Sequence, residues 1–521
     1  MSLPHAGGHG GVRPRHLLLL LASLAGVVMA TWRLGVASTR GDEIYYRDAA
    51  LDHLAGDWLA NAQHPPLAKE LMALSMGVLG DGTIPGRLPA ATCAWLTGFV
   101  VAGLVWEITG RTKGGVLAGV GAALLWWLLP FEPARMATLE APLALFVALA
   151  TWAWLRARVG WSSWWFLLGG AAVGLAVATK LTGALAVAGL LPVLLLGVRD
   201  RRDPAVLSRL DPRARRRLDR LATRPVRRTV TALAVAAVGA LAAWAACYLP
   251  LGGDAFEAVR TSVTFQAEHA AQGHAHPVAG RDQLFPPWWS GWWYQAQHLG
   301  PVATTALWAL AIVGAVRHRR RSAPVVATLT ASALALAVSP LQLPHYQYVW
   351  WPTLLVLGAA AWVPAPSATA PRRAPWAPRV ASALALALTV PVAGVAAQHV
   401  RGVLTLEVDD YRAAALLVER SVPEQTPVTV WAQMRAVRLG LPTQELSTRL
   451  PADANPAVLV VDLQWAQRKG LDLALWERCR SAQYDRQPLG AVVVYVRDDS
   501  VQADPSGGLP EGCEALPRQG G

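Results

Sequence analysis

The sequence predicts an α-helical polytopic membrane protein with a small α/β domain at its C-terminal end. Three observations lead there. First, 54% of the 521 residues are hydrophobic and only 16% are charged, with a mean hydropathy of +0.32. Soluble domains carry about 25% charged residues, and disordered chains are polar and charge-rich, so neither class fits the whole chain. Second, apolar runs approaching the roughly 20 residues of a spanning helix recur along most of the sequence. Third, the segment from Gln398 onward holds 13 Lys+Arg and 16 Asp+Glu, the balance of a soluble module.

Eleven apolar runs are expected to form spans: about 17–37, 88–108, 114–130, 139–155, 163–179, 181–198, 229–250, 301–316, 322–338, 349–363 and 379–397. The stretch from Trp161 to Val198 is too long for one span. It breaks at Thr179-Lys180-Leu181-Thr182-Gly183, which reads as a tight turn between helices. Two outer segments, about 38–87 and 251–300, exceed simple connectors, so residues 1–397 make one transmembrane domain. The first run could instead be a signal peptide with Arg13 and Arg15 ahead of it, but its apolar core is long for that, and an uncleaved anchor fits better.

Within the extracytoplasmic domain, 398–497, the capping pair Asp409-Asp410 predicts a helix over Tyr411–Glu419. Strands are expected at Pro427–Trp431, Ala457–Asp462 and Ala491–Arg497, with a helix near Leu471–Arg480. Residues 498–521 are polar and Gly/Pro-rich, and read as a disordered tail. Cys93 and Cys247 fall in spans as packing residues. Cys479 lies in this domain and Cys513 in the tail, where a disulfide between them would be compatible with an oxidising compartment.

The formal charge of +13 invites a nucleic-acid reading until its distribution is examined. With the N-terminus inside, 25 Lys+Arg fall in one set of loops against five acidic residues, twelve of those arginines between Arg199 and Arg228. That segregation is the positive-inside pattern of a cell membrane protein, N-terminus cytoplasmic and C-terminal domain outside. Orientation and contact with anionic lipid account for the arginines, and nucleic acid is not a partner.

Ionisable residues gather at the outer ends of the spans. The first outer segment opens with Arg40-Gly41-Asp42-Glu43 and runs through Gln63-His64-Pro65-Pro66-Leu67-Ala68-Lys69-Glu70. A carboxylate pair in such a place can supply a general base and a ligand for a hydroxyl or metal. A helix cap with a carboxylate on the helix dipole explains the same residues structurally. Arg87 and Arg135 suit a phosphate, or snorkel at the interface. Lys180, one of four lysines against 43 arginines, sits in an outer turn. The second outer segment holds His269, His274 and His276, followed by Trp288, Trp289, Trp292, Trp293 and Tyr294. The histidines could bind metal, although no spacing specifies ligation. The aromatics form an interfacial belt or stack on a sugar or isoprenoid.

The order Asp42-Glu43, His64-Pro65-Pro66-Leu67 and Arg87-Leu88-Pro89-Ala90 resembles glycosyltransferase family 39, of the GT-C superfamily. That family contains protein O-mannosyltransferases and aminoarabinose transferases. Arg135-Met136-Ala137-Thr138-Leu139-Glu140 is similar to its second acidic loop motif, although Glu140 stands where the family often has Asp. Gly174 to Lys180 with Gly183 resembles its "GLA…TK…G" stretch, and His345-Tyr346 a late loop with a basic residue and a tyrosine. The resemblance covers about residues 15–365.

It implies a GT-C type fold and transfer of a sugar, mannose or a related one, from a polyprenyl-phosphate donor to an acceptor hydroxyl, with inversion. The acceptor would be a protein, a glycolipid or a cell-wall glycan, and arabinose-type donors remain open. Asp42 would be the base, Glu43 would hold the acceptor or a metal, and His64, Arg87, Arg135 and Lys180 are candidates for the donor phosphate. His64 occupies the position of a lysine in the aminoarabinose branch. His274, His276, His345 and Tyr346 are weaker candidates for substrate contact. No cofactor is certain, and a divalent metal stays open. The rival reading, a transporter or flippase of lipid-linked sugars, would favour internal repeats and mid-membrane charges, and neither is seen.

Overall fold

The structure, a computed structural model, describes residues 14–39, 41–110, 112–129, 132–200, 225–274, 276–365, 377–423, 426–431, 444–446, 456–463, 466, 473–480 and 483–498. Two compact units result. One comprises Met1–Trp32 with Arg47–Leu404, and the other Arg33–Tyr46 with Thr405–Gly521.

The first unit is helical. Its helices are α1 (Pro14–Thr31), the greater part of α2 (Glu43–Leu54), α3 (Leu67–Leu79), α4 (Thr83–Thr109), α5 (Lys113–Leu128), α6 (Glu140–Gly160), α7 (Ser163–Thr179), α8 (Leu190–Asp200), α9 (Pro225–Tyr248), α10 (Ala255–Gln272), α11 (Ser290–Leu299), α12 (Pro301–Arg317), α13 (Ala323–Val338), α14 (Trp351–Ala360) and α15 (Ala377–Leu404). A short hairpin of β1 (His276–Val278) and β2 (Arg281–Gln283) follows α10.

Each of the eleven apolar runs contains helix, yet length and composition qualify fewer of them as spans. Among the described residues, Thr83–Thr109 and the run Arg227–Gln272 meet both criteria. The pair α11 and α12, bent by 115°, makes a third if counted as one span. Two other runs are interrupted. Residues Leu181–Gly189 form a 3-10 helix ahead of α8, and Pro344–Trp350 another ahead of α14. Apolar side chains nonetheless face outward: Leu17, Leu20, Leu21 and Leu24 on α1, and Val230, Val238 and Leu241 on α9, are all exposed. Such surfaces are not left in water by a folded protein, and hydrocarbon covers them without penalty.

Glycine permits a close helix contact between α7 and α9. A Cβ on Gly170 would lie 1.9 Å from the Ala236 carbonyl oxygen, and one on Gly174 2.2 Å from that of Ala240. The two glycines, four residues apart, therefore seat α7 directly on the backbone of α9.

The second unit is a three-layer α/β module. Its strands β3 (Val428–Trp431), β4 (Gln444–Leu446), β5 (Val458–Asp462), β6 (Tyr484–Leu489) and β7 (Val492–Arg497) lie in the order β4-β3-β5-β7-β6. The pairs β3–β4 and β3–β5 are parallel, and β5–β7 and β6–β7 antiparallel. Helix α16 (Asp410–Ser421) packs Ala414, Ala415 and Val418 on Val458, Val460, Val492 and Val494. Trp476 of α17 (Leu473–Arg480) packs with Leu459, Val461 and Tyr495. Successive residues of β5 therefore face opposite layers, and the whole strand is buried.

Asp409 caps α16 as expected, accepting from the Arg412 N–H at 2.8 Å. Its other oxygen accepts both the N–H and the hydroxyl of Ser38, at 2.9 and 2.8 Å. The sequence did not reveal β6, because its side chains are mostly polar and it contains Pro488. Both features suit the sheet-edge position it occupies. Cys93 and Cys247 are free and buried. Cys513 and the tail 499–521 lie outside the described residues, as do positions 201–224, which carry most of the arginine-rich segment.

Candidate active site

The site begins where α7 stops. Lys180 leaves the helix with extended backbone (φ −159°, ψ 138°), and its carbonyl accepts from the Gly183 N–H at 2.8 Å. Only glycine fits at 183, since a Cβ there would lie 2.3 Å from the Ala176 carbonyl carbon. This tight turn buries Lys180 against the start of α6, where its Nζ meets Glu140 Oε1 at 2.9 Å. Both side chains are almost completely buried, at 8% and 3% exposure. A buried pair of this kind is neutral as a unit, but either charge alone would be costly.

Two residues of the Pro344–Trp350 turn complete the group. His345 Nε2 lies 3.7 Å from Glu140 Oε1, and Lys180 Nζ sits 3.5 Å from the centre of the Tyr346 ring. His345 and Tyr346 pack edge to face at 4.8 Å. Four residues singled out separately in the sequence thus converge from three elements. Beside them opens a cavity of about 70 Å³, walled by Leu143, Leu185, Leu336, Val349, Ser332 and Ser339. An ammonium at the mouth of an apolar cleft can hold a phosphate whose substituent is hydrocarbon.

His64 belongs to the same neighbourhood. Burial pushes its imidazole down to about 3, and the positive charges of Lys180 and Lys69 push the same way. Its ring packs edge-on against Phe265 at 5.9 Å, and Phe265 stacks on His269 at 5.3 Å. The series continues through His269–His274 at 5.5 Å and His274–His276 at 5.1 Å. His276 is fully buried and neither of its ring nitrogens makes a hydrogen bond; burial and the neighbouring histidines hold it near 4. These rings pack in series rather than around one point. Among the described residues no group of three or more His, Cys, Asp or Glu side chains could hold a metal ion.

The arginines fare differently from each other. Arg135 donates to the carbonyls of Met29 and Trp32, at the C-terminal end of α1, where a cation complements the helix dipole. Burial lowers its guanidinium, and the positive charge of Arg87 does so further. Arg87 lies buried near the start of α4. Asp42 and Glu43 belong to the second unit. The Asp42 carbonyl accepts from the Tyr46 N–H at 3.1 Å and opens α2, with Glu43 fully buried in its first turn.

Sequence reasoning gave no role to Lys69. It is 1% exposed, and its Nζ donates to the carbonyls of Asn61, His64 and Ala60 at 2.5, 2.9 and 3.4 Å. The available signal was a lysine five residues after His64, on the first turn of a helix able to reach back over the preceding loop.

The fold is similar to those of solved GT-C glycosyltransferases. ArnT from Cupriavidus metallidurans in the apo state matches over 92% of this chain and 97% of its own, with a TM-score of 0.56 at 14% identity. The same enzyme bound to undecaprenyl phosphate matches over the same shares at 14% identity and a TM-score of 0.52. Residues 63–207 match the model of the dolichyl-phosphate-mannose-protein mannosyltransferase family, in line with the resemblance read from the sequence. The matched stretch includes His64, Arg87, Arg135, Glu140 and Lys180 and leaves out Asp42, Glu43, His345 and Tyr346. No curated protein matches the chain by sequence.

Proposed function

We propose that this protein transfers a sugar from a polyprenyl-phosphate donor to an acceptor hydroxyl at the extracytoplasmic face of the cell membrane. The observation that carries the reading is the buried Glu140–Lys180 pair beside an apolar cleft on a GT-C fold. The match to ArnT bound to undecaprenyl phosphate supports a lipid-phosphate donor.

On this reading Lys180 exchanges Glu140 for the donor phosphate, and Tyr346 and His345 border the same place. His64 stays neutral there and acts as a hydrogen-bonding imidazole. The acceptor oxygen forms its bond to the anomeric carbon as the bond from that carbon to the phosphate oxygen breaks. The electron pair leaves with polyprenyl phosphate, so the configuration inverts. The resemblance assigns the proton to Asp42, and mannose or a related sugar to the donor.

Membranes containing the protein, incubated with polyprenyl-phosphate sugars labelled in the sugar, should move label onto an acceptor. Lys180→Met should reduce that transfer at least a hundredfold, since a charge-assisted phosphate contact is lost. Undiminished transfer in the variant would remove Lys180 from the site. Label crossing the membrane still attached to its lipid would mark a transporter instead.

A further inference from the structure

The loop that carries His64 is built around Lys69. Between Asp57 and His64 the backbone makes successive turns: Ala60 N–H to Asp57, Ala62 N–H to Leu59, and His64 N–H to Asn61, at 3.4, 3.0 and 3.2 Å. Asn61 lies in the left-handed region at φ +52°, a conformation asparagine tolerates better than most residues. These turns aim the carbonyls of Ala60, Asn61 and His64 at one point, which Lys69 Nζ occupies.

An ammonium has three N–H donors and no acceptor, so its whole hydrogen-bonding capacity goes to main-chain carbonyls. Lys69 forms no ion pair among the described residues, and the neighbouring Glu70 carboxylate acts on it only at longer range, so the carbonyls offset most of the cost of burying its ammonium. Burial also lowers its pKa to about 7, against the pull of Glu70. A loop that needed only filling would hold an apolar side chain here more cheaply.

We infer that Lys69 is the positioning residue for His64, fixing its backbone so that the imidazole is presented to Phe265 and the Lys180–Glu140 pair. His64 is pinned on both sides: its N–H donates to Asn61, its carbonyl accepts from Lys69, and Pro65 follows with a fixed φ. The inference rests on the proposed role of His64 at the donor phosphate. It adds that a second cation, too buried to touch the donor, sets the accuracy of that contact.

The test uses the full-length protein in membranes or nanodiscs. Lys69→Met keeps length and removes the charge, and Lys69→Arg keeps the charge. Lys69→Met should raise KM for the polyprenyl-phosphate sugar about tenfold while kcat changes less than threefold, and Lys69→Arg should recover part of the loss. In a His64→Gln background, Lys69→Met should add less than twofold, because its effect passes through His64. An equal loss in both backgrounds, or an unchanged KM in folded protein, overturns the inference.

Hydrogen exchange gives a readout independent of activity. Amides of 57–64 should lose protection in Lys69→Met while those of α4 keep theirs. Retained protection in the loop overturns the inference even if no transfer is detected. Absence of transfer in the unaltered protein, with the loop deprotected in the variant, would instead count against the transferase reading alone.

Discussion

Replacing Glu140 by glutamine keeps the shape of the side chain and removes the charge that Lys180 faces at 2.9 Å. The remaining ammonium would be buried without a counter-ion, which typically costs about 3–5 kcal/mol. Glu140→Gln should therefore lower the melting temperature of the purified protein. The double variant Glu140→Gln/Lys180→Met should recover most of that stability and none of the transfer. A double variant as unstable as the single one would show that the pair is not a closed electrostatic unit. Lys180 could be picked out in the sequence by its type, as a rare lysine in a turn, while Glu140, His345 and Tyr346 were picked out by their resemblance to family motifs. Their meeting was not legible, because Glu140 and Lys180 are 40 residues apart and His345 is farther still. Arg135 shows the converse limit. Its type and place suited a phosphate or an interfacial cation, and its guanidinium donates to the Met29 and Trp32 carbonyls at the end of α1, contacts that only the fold brings within reach.

At the scale of elements, the contact between α7 and α9 depends on Gly170 and Gly174. A methyl group at 170 would overlap the Ala236 carbonyl, so Gly170→Ala must push the helices apart. Overpacking of this kind costs about 1–3 kcal/mol. Because α7 ends at Lys180, the displacement should also reach the site and reduce transfer. Gly121→Ala is the control, since a Cβ there meets nothing within 4 Å. It should leave the melting temperature unchanged or slightly higher, as alanine favours helix over glycine. Equal behaviour of the two variants would dissociate the helix contact from the site. The helices themselves were readable as apolar runs with polar breaks, and the valine-rich strands and the Asp409 cap were equally plain. Apolarity alone could not distinguish the 3-10 turn at Leu181–Gly189 from continuous helix, since LTGALAVAG is as apolar as a span, whereas the Pro344–Trp350 turn falls where the sequence already suggested a loop. Yet these two turns carry the site: one follows Lys180 and the other supplies His345 and Tyr346.

For the whole molecule, the distribution of charge makes a prediction that no single helix makes. The loops expected inside hold 25 Lys+Arg with five acidic residues, whereas the segment from Gln398 onward is slightly acidic. Positive loops resist translocation, so the arginines between Arg199 and Arg228 should stay cytoplasmic while the α/β module is exported. The outward-facing leucines and valines of α1 and α9 require hydrocarbon around the helices, but they are indifferent to which end faces out. Orientation therefore rests on the arginines. Alkaline phosphatase, active only outside the cytoplasm, should be active when fused after the C-terminal module and inactive when inserted between Arg199 and Arg228. A fluorescent protein that matures only in the cytoplasm should give the opposite pattern. Replacing the twelve arginines of that segment with glutamine should weaken the bias and produce a mixed population. An active phosphatase between Arg199 and Arg228 in the unaltered chain would invert the topology and move Lys180 and its cleft to the cytoplasmic face. The donor would then have to be presented from the inner leaflet.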